Sequence, residues 1–293
     1  MLLKDYYPKL PKRFQKIKFN GIAFNSNQVK KNFIFFAIKG NNIDGNNYIN
    51  HAIKKGSKII VSSSSTQGFS KNILYLKHNN PRKLLAELSV KINNNRPNNM
   101  IAVTGTNGKS SIANFYYQIL TLNNKKVAMI GTLGVLSKKL KLKTNNTTID
   151  PINIHKILNK LSKLNVNDVI LEASSHGLKQ HRLNCINFNT ALFTNLSRDH
   201  LDYHKTFKDY LNSKLILFSN LLKNRGNIVF DDKIPQATQL NKIFKKRKLK
   251  KYNFGNDKSF INILNIQKVK DKKKIDFLFN KKIYSFQTEL IGE

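Results

Sequence analysis

Met100-Ile101-Ala102-Val103-Thr104-Gly105-Thr106-Asn107-Gly108-Lys109-Ser110 is the stretch that decides the fold. Residues 100–104 form a short apolar run of strand length, and an amphipathic stretch from Ser110 to Leu122 follows the glycine-containing turn. Glycines let the backbone fold tightly enough for its N–H groups to face an anion, and the helix start adds partial positive charge. In such a loop Lys109 reaches the β- and γ-phosphates of a nucleotide, and the Ser110 hydroxyl can ligate Mg²⁺.

Outward from this loop, apolar strands alternate with helical segments. On the C-terminal side come strands at 127–130, 169–172 and 190–193, with a helix at 152–164. Strands alternating with helices imply a mainly parallel sheet, whose ligands bind at the carboxyl ends of the strands. On the N-terminal side, 33–38 and 58–61 read as strands, with a helix at 48–55 between them and another at 82–92. The polar stretch 93–99, with Pro97, reads as a linker. The expected fold is therefore α/β: a small N-terminal α/β domain over 1–97, then a phosphate-loop domain over 98–293. Beyond about Lys250 the chain reads as short strands with Lys-rich turns.

Apolar residues make up 40% of the 293, enough for buried cores. The single cysteine, Cys185, cannot form an internal disulfide. The first ten residues carry Lys4, Asp5 and Lys9 and no signal-like apolar run, and no apolar stretch reaches bilayer-spanning length. A soluble, cytoplasmic chain without a membrane partner is expected. The 52 Lys+Arg against 16 Asp+Glu give a net charge of +36. This excess is spread along the whole chain, together with Asn and Ile, as AT-rich coding produces. Compositional drift is therefore preferred to nucleic-acid binding. A positive field still favours anionic substrates.

Further polar groups cluster after buried strands. Val169-Ile170-Leu171-Glu172 ends in a carboxylate suited to a nucleotide's Mg²⁺. Arg182, in the polar segment that follows, can pair bidentately with a carboxylate or phosphate. Ser175 next to His176 resembles a nucleophile and its base, but neighbours in an extended chain point to opposite sides. His200 and His204 have the i, i+4 spacing of a zinc helix without the glutamate that completes it. Ser197 or Asp199 could cap a helix there.

Taken together, five segments resemble the Mur ligases, most closely their UDP-N-acetylmuramoyl-tripeptide synthetase branch. They are Gly105 to Ser111, Asn146-Thr147-Thr148, Glu172 to Arg182, Phe193 to His204, and Ser213-Lys214-Leu215 followed by Phe218. Phe24-Asn25-Ser26 and Phe36 to Gly40 resemble the family's UDP-binding domain.

The resemblance implies an ATP-dependent amide ligase of peptidoglycan precursor synthesis. It would add a third amino acid, diaminopimelate rather than lysine, to UDP-N-acetylmuramoyl-L-alanyl-D-glutamate through an acyl phosphate. By the same resemblance Gly105, Thr106, Asn107, Gly108, Lys109, Ser110 and Ser111 would cradle ATP. Ser110 and Glu172 would hold one Mg²⁺, and His200 and an N-carboxylated (carbamylated) Lys214 would serve a second. Phe24, Ser26, Asn41, Asn42 and Ile43 would line the uridine site. Asn146, Thr147, Thr148, Ser174, Gln180 and Arg182 would bind the muramoyl dipeptide. Lys109, Lys214 and His200 are the expected catalytic residues. A monomer is expected, and the family's C-terminal third domain is expected to be absent from this chain. The alternative is a two-domain protein that binds UDP-muramoyl peptide and ATP without ligating them.

Overall fold

The computed structural model describes residues 1–7, 10–40 and 43–290. Asn41 and Asn42, two of the expected uridine-site residues, lie outside the described residues. Contacts divide the chain into two compact units. One comprises Met1–Pro97, Ile149–Asn165 and Gln180–Cys185, and the other the remainder.

The first unit begins with two single-turn helices, α1 (Leu3–Tyr6) and α2 (Lys12–Gln15). Strands β1 (Gly21–Ala23) and β2 (Phe33–Ala37), helix α3 (Ile49–Lys54) and strands β3 (Ile59–Ser62), β4 (Gly68–Ser70) and β5 (Ile73–Lys77) follow. The sheet order is β1-β2-β3-β5-β4, parallel except for β4. Continuous apolar runs such as FIFFA in β2 suit a parallel sheet covered on both faces. Helix α4 (Pro81–Ile92) starts with Pro81 in its first turn, and Asn80 Oδ1 accepts the Lys83 amide at 3.0 Å. Its Leu84, Leu85 and Leu88 share a core with Phe36, Val61 and Leu76.

The second unit opens with β6 (Asn99–Thr104), α5 (Lys109–Leu122), β7 (Val127–Gly131), β8 (Gly134–Ser137) and β9 (Leu140–Leu142). Helix α6 (Pro151–Lys163) interrupts it in sequence but belongs to the first unit. There it packs on α4, and Ile152 enters that unit's core. The second unit resumes with β10 (Asp168–Glu172), α7 (Ser175–Lys179), β11 (Phe188–Phe193), α8 (Leu201–His204), α9 (Phe207–Ile216), β12 (Leu222–Asp231) and α10 (Ala237–Arg247). Strands β13 (Lys250–Gly255), β14 (Ile261–Val269), β15 (Lys272–Phe279) and β16 (Lys282–Thr288) complete it.

These strands form one eleven-stranded sheet, ordered β16-β15-β14-β13-β12-β11-β6-β10-β7-β8-β9. The run from β14 through to β7 is parallel, and both edges are antiparallel. Ile101, Val103, Ala113, Met129 and Ile170 pack α5 onto the central strands. The phosphate loop, Glu172 and Phe193 thus sit at the carboxyl ends of three adjacent strands. The strands beyond Lys250 are longer than the sequence suggests. Asn280 and Lys281 both have positive φ, and this tight turn fixes the β15–β16 register.

Candidate functional site

The phosphate loop leaves β6 at Gly105, where φ is +147° and an added Cβ would overlap Thr194 Oγ1. It enters α5 through Gly108 at φ +81°, with no side chain capping the helix. The amides of the first turn of this 14-residue helix are therefore available to an anion, with the helix dipole behind them.

The loop is held from the neighbouring strand end. Thr194 Oγ1 donates to the Asn107 carbonyl at 2.6 Å, and the Asn107 amide donates to Asn195 Oδ1 at 2.9 Å. The Thr106 hydroxyl accepts the Ser197 amide at 3.0 Å and pairs with the Tyr210 hydroxyl at 3.1 Å. Lys109 Nζ folds back onto the carbonyls of Gly105 (3.0 Å) and Thr106 (2.6 Å). Burial lowers its pKa, and the charges of Glu172 and Asp199 oppose that shift.

Glu172 is 1% exposed. Its Oε2 accepts the Ser110 hydroxyl at 2.8 Å and the Thr132 hydroxyl at 3.2 Å, and its Oε1 accepts the Thr132 amide at 2.9 Å. The Glu172 carboxylate fills the space above Gly131, where an added Cβ would collide with it. Thr132 Oγ1 also lies 3.0 Å from Thr147 Oγ1. Thr148 Oγ1 donates to the Glu172 carbonyl at 2.8 Å and accepts the Ser174 amide at 2.9 Å. Ser174 Oγ in turn accepts the Gly177 amide at 3.1 Å. Asn146 is exposed beside this group in sequence.

Lys214, on α9, is 1% exposed. Its Nζ donates to the Gly105 carbonyl at 2.6 Å and lies 4.4 Å from the Tyr210 ring centroid. Burial, reinforced by the Lys109 charge, pushes its pKa down to about 7, against the pull of Asp199. His200 has φ +52° and sits one residue before α8, its ring 6.2 Å from the Tyr210 ring. Asp199 Oδ1 accepts the His200 amide at 2.8 Å, and Asp199 Oδ2 lies 3.3 Å from His200 Nε2.

A buried carboxylate with a serine hydroxyl beside it, at the mouth of a phosphate loop, is an oxygen donor set that fits Mg²⁺. This ion is held through one or two carboxylates together with phosphate oxygens and water.

The other expected binding residues belong to the first unit. The Ser26 hydroxyl is buried and 2.9 Å from His51 Nδ1, while Phe24 is 37% and Ile43 61% exposed. The Ile43 carbonyl accepts the Gly40 amide at 2.8 Å. Gln180 Oε1 accepts both Nε (3.1 Å) and Nη2 (2.8 Å) of Arg182.

The Ser175–His176 segment is helical rather than extended, and Ser175 turns to His204: its Oγ lies 2.9 Å from His204 Nε2. Sequence reasoning placed Thr194 and Asn195 within the segment Phe193 to His204 without giving either a role, and it did not single out Thr132 or Tyr210. A Gly-Thr pair ending β7 and a Thr-Asn pair ending β11, at the same edge as the loop, were the available signals.

The chain belongs to the Mur ligase family. Residues 103–293 match the Mur ligase middle domain, and residues 18–102 match the domain described as Mur ligase family, catalytic domain. The UDP-N-acetylmuramoyl-L-alanyl-D-glutamate--2,6-diaminopimelate ligase of Wigglesworthia glossinidia brevipalpis is 41% identical over 271 residues, covering 86% of this chain and 55% of that protein. The protein of the same name from Rickettsia typhi (strain ATCC VR-144 / Wilmington) is 35% identical over 283 residues, covering 95% and 57%. A solved structure of a ligase of this name superposes with a TM-score of 0.84 at 24% identity, over all of this chain and 60% of that one. The chain thus spans little more than half the length of the curated relatives it matches. Among the described residues, no helix is long and apolar enough to cross a membrane.

Proposed function

We propose that this chain carries the nucleotide- and substrate-binding parts of an ATP-dependent amide ligase that extends UDP-N-acetylmuramoyl-L-alanyl-D-glutamate by one amino acid. The names of the relatives favour diaminopimelate as that amino acid. The observation that carries the reading is the uncapped start of α5 beside the buried Glu172–Ser110 pair.

In this reading the amides of Gly105 to Ser111 grip the β- and γ-phosphates, and Lys109 swings from its loop carbonyls onto the γ-phosphate. Ser110 and Glu172 would hold one Mg²⁺, and His200 and Lys214 would serve a second; bound there, such ions would supply positive charge against the phosphates. The γ-carboxylate of the substrate's D-glutamate attacks the γ-phosphorus, and ADP leaves. The resulting acyl phosphate is attacked by the incoming amine, which forms the amide and releases phosphate. Asn146, Thr147, Thr148, Ser174, Gln180 and Arg182 orient the dipeptide. Phe24, Ser26 and Ile43, with Asn41 and Asn42, hold the uridine end; such remote anchoring supplies orientation.

Lys214 acts as a carbamate in this scheme. A buried neutral amine adds CO₂ and loses a proton, turning a cation into an anionic oxygen ligand. The uridine site falls to residues 1–97 and the nucleotide site to residues 98–293, of which Ile149–Asn165 and Gln180–Cys185 belong by their contacts to the first unit; the protein is a cytoplasmic monomer without a nucleic-acid or membrane partner.

Calorimetric titration with MgATP and with the UDP-muramoyl dipeptide tests the core of this proposal. Both are expected to bind, and no binding of either sinks it. In ¹³C-bicarbonate, NMR should show a carbamate carbon that Lys214→Ala removes. Its absence from the wild-type chain would refute the carbamate.

A further inference from the structure

His204 has no part in that scheme, yet it is fully buried among the elements that carry it. Its Nε2 lies 2.9 Å from Ser175 Oγ, at the start of α7 and three residues after Glu172. Its Nδ1 lies 3.3 Å from Ser213 Oγ, on α9 beside Lys214, and 3.6 Å from Asp209 Oδ2.

The hydrogen-bond pattern fixes the tautomer. The single hydroxyl proton of Ser213 goes to the Asp209 carbonyl at 2.8 Å, so Ser213 Oγ accepts from His204. Nδ1 therefore carries the hydrogen, and Nε2 accepts the Ser175 hydroxyl. One neutral imidazole is donor to one helix and acceptor from another. Fully buried, with both nitrogens engaged, it cannot touch substrate.

We propose that His204 is a positioning residue: its Ser175–His204–Ser213 bridge holds α9, and with it Lys214, against the strand end that bears Glu172. A second tie between α7 and α9, Lys179 to Asp209 at 2.5 Å, is more than a third exposed on both sides and screened accordingly. The buried bridge is thus the tie that sets geometry. Its output is the 2.6 Å contact of Lys214 with the phosphate-loop carbonyl of Gly105 and the seat of His200, one turn before His204.

This inference rests on the Mg²⁺–nucleotide reading above, and its test separates the two. ATP affinity is measured by calorimetry across a Mg²⁺ series for the wild-type chain, His204→Leu and His204→Gln, with thermal unfolding recorded alongside. Groups that orient metal-site ligands typically cost about 10- to 100-fold in metal affinity when removed. His204→Leu should weaken the Mg²⁺-dependent affinity by that amount, and His204→Gln, which offers one acceptor and one donor, should recover most of it. A folded His204→Leu with lowered Tm but wild-type Mg²⁺ dependence overturns the proposal, because the bridge is then merely structural. If the wild-type chain binds no MgATP, the nucleotide reading fails and this inference falls with it. Should His204→Leu not fold, Ser213→Ala removes one arm alone, and an unchanged Mg²⁺ dependence there also overturns the proposal.

Discussion

His155 on α6 and His204 on α8 are both fully buried, and both imidazoles are pushed down to about 4, yet their surroundings differ. For His155 the cause is burial and then the Arg96 charge, with the Asn184 backbone opposing weakly; neither ring nitrogen has a hydrogen-bond partner of full geometry. For His204 the cause is burial and then the charges of His176 and Lys179, opposed by Asp209, and both nitrogens are engaged. A depressed pKa thus reports burial, and the partner set says whether the group belongs to working machinery. The same contrast runs through the two units. Buried serines in the first, such as Ser57 and Ser89, donate to backbone carbonyls of its strands and helices. In the second, Thr106, Thr148, Glu172, Ser175, Ser213 and Lys214 link the loops at the carboxyl end of one sheet.

If that contrast is functional, the largest effect follows from Glu172→Gln. The amide keeps the shape but loses the charge. Residues that merely orient a ligand cost about 10- to 100-fold, so removing a direct ligand should exceed about 100-fold in Mg²⁺-dependent ATP affinity. Calorimetry at saturating and limiting Mg²⁺ checks this. A variant retaining wild-type Mg²⁺ dependence would mean that Glu172 is a structural buried carboxylate, comparable to His155 rather than to His204.

The phosphate loop, the strand ending in Glu172 and the parallel order were legible in the sequence, because local periodicity and glycine placement carry them. The partnership of Ser175 with Ser213 through His204 was not, since it joins residues 29 and 9 positions from His204 across three helices. The helix over 151–163 was legible, but its membership of the first unit was not. Its Asp150 cap and Pro151 start are local signals, whereas Ile152 joins the first unit's core through long-range contacts. The meander β14–β16 read only as short strands. Its residues are mostly exposed, so no buried alternation marked its length.

The smallest effect tests the other side of the comparison. His155→Leu replaces a ring whose two nitrogens lack full partners with an apolar side chain of similar size, inside a unit where it has no assigned work. An orphaned buried polar atom costs about 1–3 kcal/mol, so after imperfect packing the variant should be about 1 kcal/mol more stable at pH 7 in denaturant unfolding. The pH dependence has a definite sign. The folded-state pKa lies below the unfolded value of about 6.5, so the unfolded chain takes up the proton first as pH falls. Stability from this group is therefore full above about 6.5 and is lost between there and about 4, by up to ~1.4 kcal/mol per pH unit. His204 contributes with the same sign. His155→Leu should accordingly flatten the acid limb between pH 6.5 and 5 without removing it, and leave MgATP affinity unchanged. Loss of nucleotide affinity in this variant would break the comparison, because burial alone would then have marked a working group.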